Sequence, residues 1–421
     1  MIQVCDAIMG QGKSSSAITY MNEHADQKFI YIAPYLDEAK RIKERCPDLH
    51  FIEPDKDWAH GSSKVSHTQE LVIRGHNIAT THQAFKMYTS DMLVAVREQE
   101  YTLIIDERVE LLEECEIAED DLQLLVDGGY VKNENGIYTL VSDNYKGTKF
   151  QDTFRLLRSR QIMKANNDGY NGYNGDTSFF YWILSPELVT SFKDVFILTY
   201  LFEGQSMFNF LEMYNIPYVN IGVSREENNG EYTYRFCDHV DYIPEYVDHI
   251  KDMIDIIDSQ KLNDIGEAEN ALSVNWFKNS DESTIDRVKN NIYNVFRNIW
   301  NESRAADRIW TTFKDMRETL KGRGYKDVFT VFNQRATNEY RDKLYLAYIC
   351  NVYMNVNEKK FFYKHGLTVN EETYALSMLV QWIWRSAIRD GQKIYLYLPS
   401  SRMRRILYDW MDSLEKGGVA H

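Results

Sequence analysis

Eight consecutive residues near the start of the chain, Ala7-Ile8-Met9-Gly10-Gln11-Gly12-Lys13-Ser14, constrain the fold more than any other stretch. They match the phosphate-loop pattern, with Ala in the first position where Gly is usual. The pattern makes structural demands. An apolar strand (2–8) must end in a glycine-containing turn, and a helix must begin at Lys13. Gly10 and Gly12 let the backbone approach a phosphate, and the amides of the turn and the helix N-terminus face anionic oxygens. Lys13 supplies a point positive charge, and the hydroxyl of Ser14, followed by Ser15, reaches a divalent cation.

The rest of the first hundred residues fits a strand–helix alternation. Residues 28–33 read as a strand closed by Pro34, 36–45 as an amphipathic helix, 77–80 as a short strand ending at Thr81 and His82, and 83–98 as a helix. A largely apolar run, Tyr101 to Ile105, then delivers Asp106 and Glu107. Short apolar strands alternating with helices predict an α/β fold with a mostly parallel sheet. In such a sheet, ligands sit at the carboxyl ends of the strands. Asp106 is placed there to hold Mg²⁺ and Glu107 to orient water. Taken alone, Asp-Glu after an apolar run is also compatible with a helix cap.

The segment 110–190 breaks the rhythm and is expected to be an insertion. It has an acidic start, a hairpin signal at Asn135-Gly136, and an Asn/Gly/Tyr-rich stretch at 166–175. Strand order resumes at 195–199, and hairpin strands are expected near 218–223 and 231–237. Helices dominate 244–320. A strand is expected at 327–332, helix at 338–355, a long helix over 371–389, a strand at 394–398 and a last helix over 401–415.

The long helix expected over 371–389 contains Gln381-Trp382-Ile383-Trp384-Arg385-Ser386-Ala387-Ile388-Arg389. On one helix, Arg385 and Arg389 would share a face and could stabilise a transferring phosphoryl group; a solvated basic face is the alternative. Arg402, Arg404 and Arg405 are equally compatible with phosphate contacts and with a solvated helix face. Trp300 and Trp310 suit core packing better than base stacking.

Composition excludes several classes. The 421 residues carry 48 Lys and Arg against 63 Asp and Glu, a net charge of −15, so a general basic coat for nucleic acid is absent while a local groove is not ruled out. Only 7 Pro, against 57 aromatic residues (29 Tyr, 20 Phe, 8 Trp), argue against a disordered chain. The cysteines, Cys5, Cys46, Cys115, Cys237 and Cys350, are far apart and contain no CxxC pair, which fits a reducing cytoplasmic setting. No run of 18 apolar residues is present, and no signal peptide or membrane partner is expected.

In this order, the phosphate loop, the Asp-Glu box and the arginine-bearing segment resemble superfamily 2 helicases and translocases, the DEAD/DEAH-like ATPases. The second half is similar in style to bacteriophage-encoded members. The resemblance implies two RecA-like domains, at 1–220 (with the insertion at 110–190) and 221–421 (with the helical region at 244–320). ATP and Mg²⁺ would bind through Gly10, Gly12, Lys13, Ser14, Ser15, Asp106 and Gln381. Glu107 with Arg385 or Arg389 would catalyse hydrolysis. Nucleic acid, DNA in preference to RNA, would contact Pro34, Thr81, His82, Arg335 and Thr337. Leu198-Thr199-Tyr200 falls where the family couples hydrolysis to movement. Replication, repair or packaging proteins would be the partners.

The sequence also departs from the family. The box reads Asp106-Glu107-Arg108-Val109, Trp384 replaces a common Gly, and only six residues precede the loop, so no adenine-reading glutamine motif is expected ahead of it. Two other classes share part of the pattern: a viral DNA-packaging terminase ATPase, and a nucleotide-switched binding or loading protein without processive movement.

Overall fold

The computed structural model describes residues 1–55, 57, 63–107, 109–165, 179–239, 242–301, 303–332 and 339–416. They divide into two units. The first holds Met1–Ala7, Gly12–Tyr242 and Val356–Val369; the second holds Ile8–Gln11, Ile243–Asn355 and Asn370–His421. The hairpin that follows residue 220 belongs to the first unit.

The strands in chain order begin with β1 (Ile2–Asp6), β2 (Phe29–Ala33), β3 (Ile78–Thr81) and β4 (Thr102–Asp106). Then come β5 (Leu112–Cys115), β6 (Val131–Glu134), β7 (Ile137–Leu140), β8 (Arg160–Ala165) and β9 (Phe179–Leu184). The first unit ends with β10 (Asp194–Thr199), β11 (Tyr218–Asn220), β12 (Gly222–Asn228) and β13 (Glu231–Cys237).

Six of these form a wholly parallel sheet in the order β11-β1-β10-β4-β2-β3. β2 and β4 are buried at every position, as continuous apolar strands of a sheet covered on both faces must be. Helix α1 (Lys13–Glu23) follows β1, and a helix over Leu36–Arg45 follows β2. Residues 71–73 belong to a helix over Lys64–Ile73. The stretch read as one helix at 83–98 is two, His82–Phe85 and Ser90–Glu98, because Thr89 starts the second one by accepting the Met92 amide.

Between β4 and β10, which are neighbours in the parallel sheet, the chain builds a separate antiparallel sheet in the order β5-β9-β8-β7-β6. It has its own core, including Leu122, Val131, Phe154, Ile162 and Trp182. The β6–β7 turn places Asn135 and Gly136 at φ 55° and 86°, the two left-handed positions that an Asn-Gly hairpin turn requires. At the root of this sheet, buried Lys86 donates to Glu113 (2.8 Å), which also accepts from Arg160 (2.6 Å). The β12–β13 hairpin packs its base, Val223 and Phe236, into the core beneath α1.

The second unit is a four-stranded parallel sheet, β14 (Ile254–Ile256), β15 (Arg308–Thr311), β16 (Tyr345–Tyr348) and β17 (Ile394–Tyr397), in the order β14-β17-β16-β15. β16 lies where helix was expected. The 327–332 segment contributes only a single bridge, Phe329 to Trp310. Trp300 and Trp310 are both core residues. Helices over Glu371–Ile383 and Ser401–Glu415 flank β17 in sequence. Both units are therefore α/β, with parallel sheets flanked by helices, and among the described residues no helix is long and apolar enough to cross a membrane.

Candidate functional site at the carboxyl edge of the first sheet

The loop between β1 and α1 is shaped by two left-handed glycines, Gly10 (φ 79°) and Gly12 (φ 99°), the latter capping α1. Within the loop, the Ile8 amide donates to the side-chain oxygen of buried Gln11 (2.9 Å), and the Gln11 amide donates to the Ile8 carbonyl (3.2 Å). Lys13 folds back so that its ammonium donates to the Ala7 carbonyl at the loop's start. Burial lowers the pKa of that ammonium; the nearby Cys5, Asp106, Asp6 and Glu107 act in the opposite sense. Ser15 stands half-buried in the first turn of α1.

Two motifs far apart in sequence meet at this edge. The Ser14 hydroxyl donates to Oδ2 of Asp106 (3.1 Å), 92 residues away. The same carboxylate oxygen accepts the Tyr31 hydroxyl (2.6 Å), and the Asp106 carbonyl is hydrogen-bonded to Nε2 of His82 (2.8 Å). Burial, then the Asp106 carboxylate, pushes the Tyr31 phenol well above its ordinary pKa, so Tyr31 remains a donor. β10 lies between β1 and β4 and fixes both: the Ala7 amide donates to Thr199 O (3.0 Å) and the Glu107 amide to Leu198 O (2.9 Å). Glu107 itself has φ 64°, a left-handed conformation that costs a non-glycine residue roughly 1–3 kcal/mol. The strain turns the chain sharply as it leaves β4, at the one carboxylate for which a hydrolytic role is expected.

The segment after β10 is held by side chains that the sequence reading did not single out. Buried Gln205 donates to the Thr199 hydroxyl (2.5 Å) and the Tyr200 carbonyl (2.9 Å), while Asp6 accepts the Phe202 amide (2.9 Å). Tyr31 was also passed over. Its signal was a phenol inside an otherwise apolar, fully buried strand, where a hydroxyl requires a partner.

The other expected contacts separate by environment. Pro34 and Thr81 stand half-buried, one just after β2 and the other at the end of the adjacent β3. His82 is only 2% exposed and committed to the Asp106 carbonyl, so it positions the acidic strand end instead of facing a nucleic-acid strand. Arg335 and Thr337 lie outside the described residues. In the second unit, the Glu371–Ile383 helix carries Gln381 half-buried and ends before either arginine. Arg385 follows in a turn, buried, donating to Phe332 O (3.4 Å); Arg389 lies exposed in a short 3₁₀ helix over Ala387–Asp390. The two arginines therefore share no helical face. Arg402, Arg404 and Arg405 are spent internally, Arg402 on Asn351 Oδ1 and Val352 O (2.9 Å each), Arg404 on Leu398 O and Pro399 O, and Arg405 on Glu372.

Fold and site together define a parallel α/β protein of two units, with a glycine-shaped loop, a lysine and a buried aspartate converging at the carboxyl edge of the first sheet. The chain is 35% identical over 424 residues to the SPbeta prophage-derived uncharacterized protein YonV of Bacillus subtilis (strain 168), an alignment covering 98% of this chain and 99% of that protein. Residues 248–411 match the model of the YonV C-terminal Rossmann-like domain. The chain belongs to the YonV family. Among solved structures it is similar to an XPD apo structure (TM-score 0.48, 11% identity, 100% of this chain and 96% of that one) and to S. tokodaii Xpd4 (0.46, 12%, 97% and 94%). An XPD helicase matches at 0.43, with 8% identity over 97% and 95% of the two chains. Likeness at this level adds nothing to what the sheet topology itself establishes.

Proposed function

We propose that this YonV-family protein is a nucleic-acid-dependent ATPase of helicase superfamily 2 that translocates on or unwinds DNA. The observation that carries the proposal is the 3.1 Å hydrogen bond between Ser14 and Asp106, because it joins the loop and the acidic strand end into one constellation. A hydroxyl and one carboxylate are what a Mg²⁺ ion takes from a protein when phosphates and waters complete its shell, so the donor set fits. Ser14 and Asp106 would hold the ion. Bound there, it would neutralise charge on the β- and γ-phosphates.

The chain's own residues then have defined tasks. Lys13 releases the Ala7 carbonyl and turns to the phosphates, and the amides of Gly10 and of Gly12 to Ser14 line the oxygens. Tyr31 and His82 fix the orientation of Asp106. Glu107 accepts the proton of the attacking water. Arg389, exposed where Arg385 is buried, is the better candidate for charge stabilisation. Pro34 and Thr81 would contact the nucleic-acid backbone, positioning the strand without reading its sequence.

ATP hydrolysis measured with single-stranded DNA, duplex DNA or RNA, beside Lys13→Ala, tests this reading. Stimulation by a polymer, lost in the variant, is expected, and DNA should stimulate more than RNA. ATP binding with turnover indifferent to every polymer would contradict it and favour a nucleotide-switched binding protein.

A further inference from the structure

An aromatic cluster beside the phosphate loop has no task in the reading above. On the β12–β13 hairpin, the ring of Tyr234 lies against Gly12 so closely that a Cβ at residue 12 would fall 2.2 Å from a ring carbon. Glycine at position 12 therefore serves two needs, the left-handed turn and the approach of this ring. Tyr234 meets Tyr242 edge to face, with ring centres 5.9 Å apart. Arg225, directly opposite Tyr234 in the hairpin register, places its guanidinium 4.0 Å from the Tyr242 ring centre and 4.5 Å from that of Tyr232, and donates to the Tyr242 hydroxyl (2.9 Å).

The hairpin is fastened to β10 and to the end of α1. Phe236 stacks on Phe196, with ring centres 5.1 Å apart, and Arg235 donates to Glu23 in the last turn of α1 (2.8 Å). Arg225 and Tyr234 form the middle rung of the hairpin and stay half-buried, Tyr234 against the core beneath α1, while Tyr232, farther out, is 51% exposed. What it presents is a planar cation held between rings, next to the first turn of the helix that starts the phosphate site. Flat π-surfaces with a guanidinium among them are what a nucleobase stacks on.

We infer that the hairpin cluster of Arg225, Tyr234 and Tyr242 is the nucleobase subsite of the bound nucleoside triphosphate. The inference rests on the loop at Gly10–Ser14 being a phosphate site. Recognition would run through stacking and cation–π contact, with the phosphates at the loop and the base at the hairpin.

The test compares two ligands on the full chain by titration calorimetry in Mg²⁺: ATP, and inorganic tripolyphosphate, which has the phosphates without the base. Tyr242→Leu and Arg225→Ala are each expected to weaken ATP binding about tenfold and leave tripolyphosphate binding unchanged. Tyr242→Phe, which keeps the ring, is expected to retain ATP affinity. Equal losses for both ligands, or no loss for either in the two variants, would overturn the base subsite and mark the cluster as a hairpin staple only. Should Tyr242→Leu fail to fold, Arg225→Ala decides alone. If the unsubstituted protein binds neither ligand, or Lys13→Ala weakens neither, the phosphate reading itself has failed and the subsite falls with it.

Discussion

The two units spend their polar side chains in opposite ways. At the edge of the first sheet, side chains from separate segments meet one another: Ser14 and Tyr31 on one oxygen of Asp106, with His82 behind it. In the second unit, three buried or half-buried arginines turn inward to the backbone instead, Arg402 to Val352 O, Arg404 to Leu398 O and Pro399 O, and Arg308 to Ser303 O. Side chains that converge on one another leave an arrangement a ligand can complete. Guanidinium groups that satisfy loop carbonyls instead remove the desolvation penalty of those carbonyls and hold the fold. Under the proposed reading, the contrast assigns the nucleotide chemistry to the converging side chains around Asp106 and a structural role to Arg308, Arg402 and Arg404.

Substitutions can break that contrast. The largest expected effect is on turnover: Glu107→Gln should lower ATP hydrolysis by about 10³-fold with ATP binding retained, in the range of a lost general base. A steady-state rate beside a binding titration checks it. The arginine pair sharpens the comparison further. Arg389→Ala should cut turnover by up to about 10³-fold, the lower end of the scale of a lost arginine finger, without moving the melting temperature. Arg385→Ala should instead lower the melting temperature, because it removes a buried donor. The reverse pattern would put Arg385 in the site and erase the difference between the units.

A smaller change is expected from Tyr31→Phe. Removing one hydrogen bond to Asp106 is worth about 1 kcal/mol, and turnover should fall about fivefold, with a matching rise in the Mg²⁺ concentration needed. The smallest effect concerns protons. Burial lowers the Lys13 pKa in the free protein, while phosphate charge would raise it in the complex. Binding then takes up a fraction of a proton, and ATP affinity falls as pH rises through the alkaline range. Calorimetry in buffers of different ionisation heat measures that uptake directly.

Much of the fold was legible where local chemistry and tertiary packing agree. Gly10 and Gly12 mark the turn between β1 and α1, and the helices at 36–45 and 401–415 have the bounds their apolar spacing indicates. The misses share one cause. Residues 344–350 are a short apolar run, and such runs do not separate a buried strand from a helix by periodicity; β16 is the strand. Likewise nothing in Trp384-Arg385-Ser386 signals a helix stop before Gly391, yet the helix ends at Ile383 and the arginine pair loses its common face. At the site, residue types in motifs could be named from sequence. Their partners could not, since Tyr31 reaches Asp106 only through the β2–β4 pairing, and His82 is turned inward by a four-residue helix that no local signal marks.

The most direct measurement is equilibrium binding of ATP, with and without Mg²⁺, to the unsubstituted protein, Lys13→Ala and Asp106→Asn. If the converging side chains of the first unit form the nucleotide site, the unsubstituted protein binds ATP more tightly with Mg²⁺. Lys13→Ala then loses affinity by about 100-fold or more, the scale expected when a buried charged partner is removed, and Asp106→Asn loses the Mg²⁺ dependence. Equal affinity in all three proteins, or a Mg²⁺ effect that survives Asp106→Asn, would contradict it.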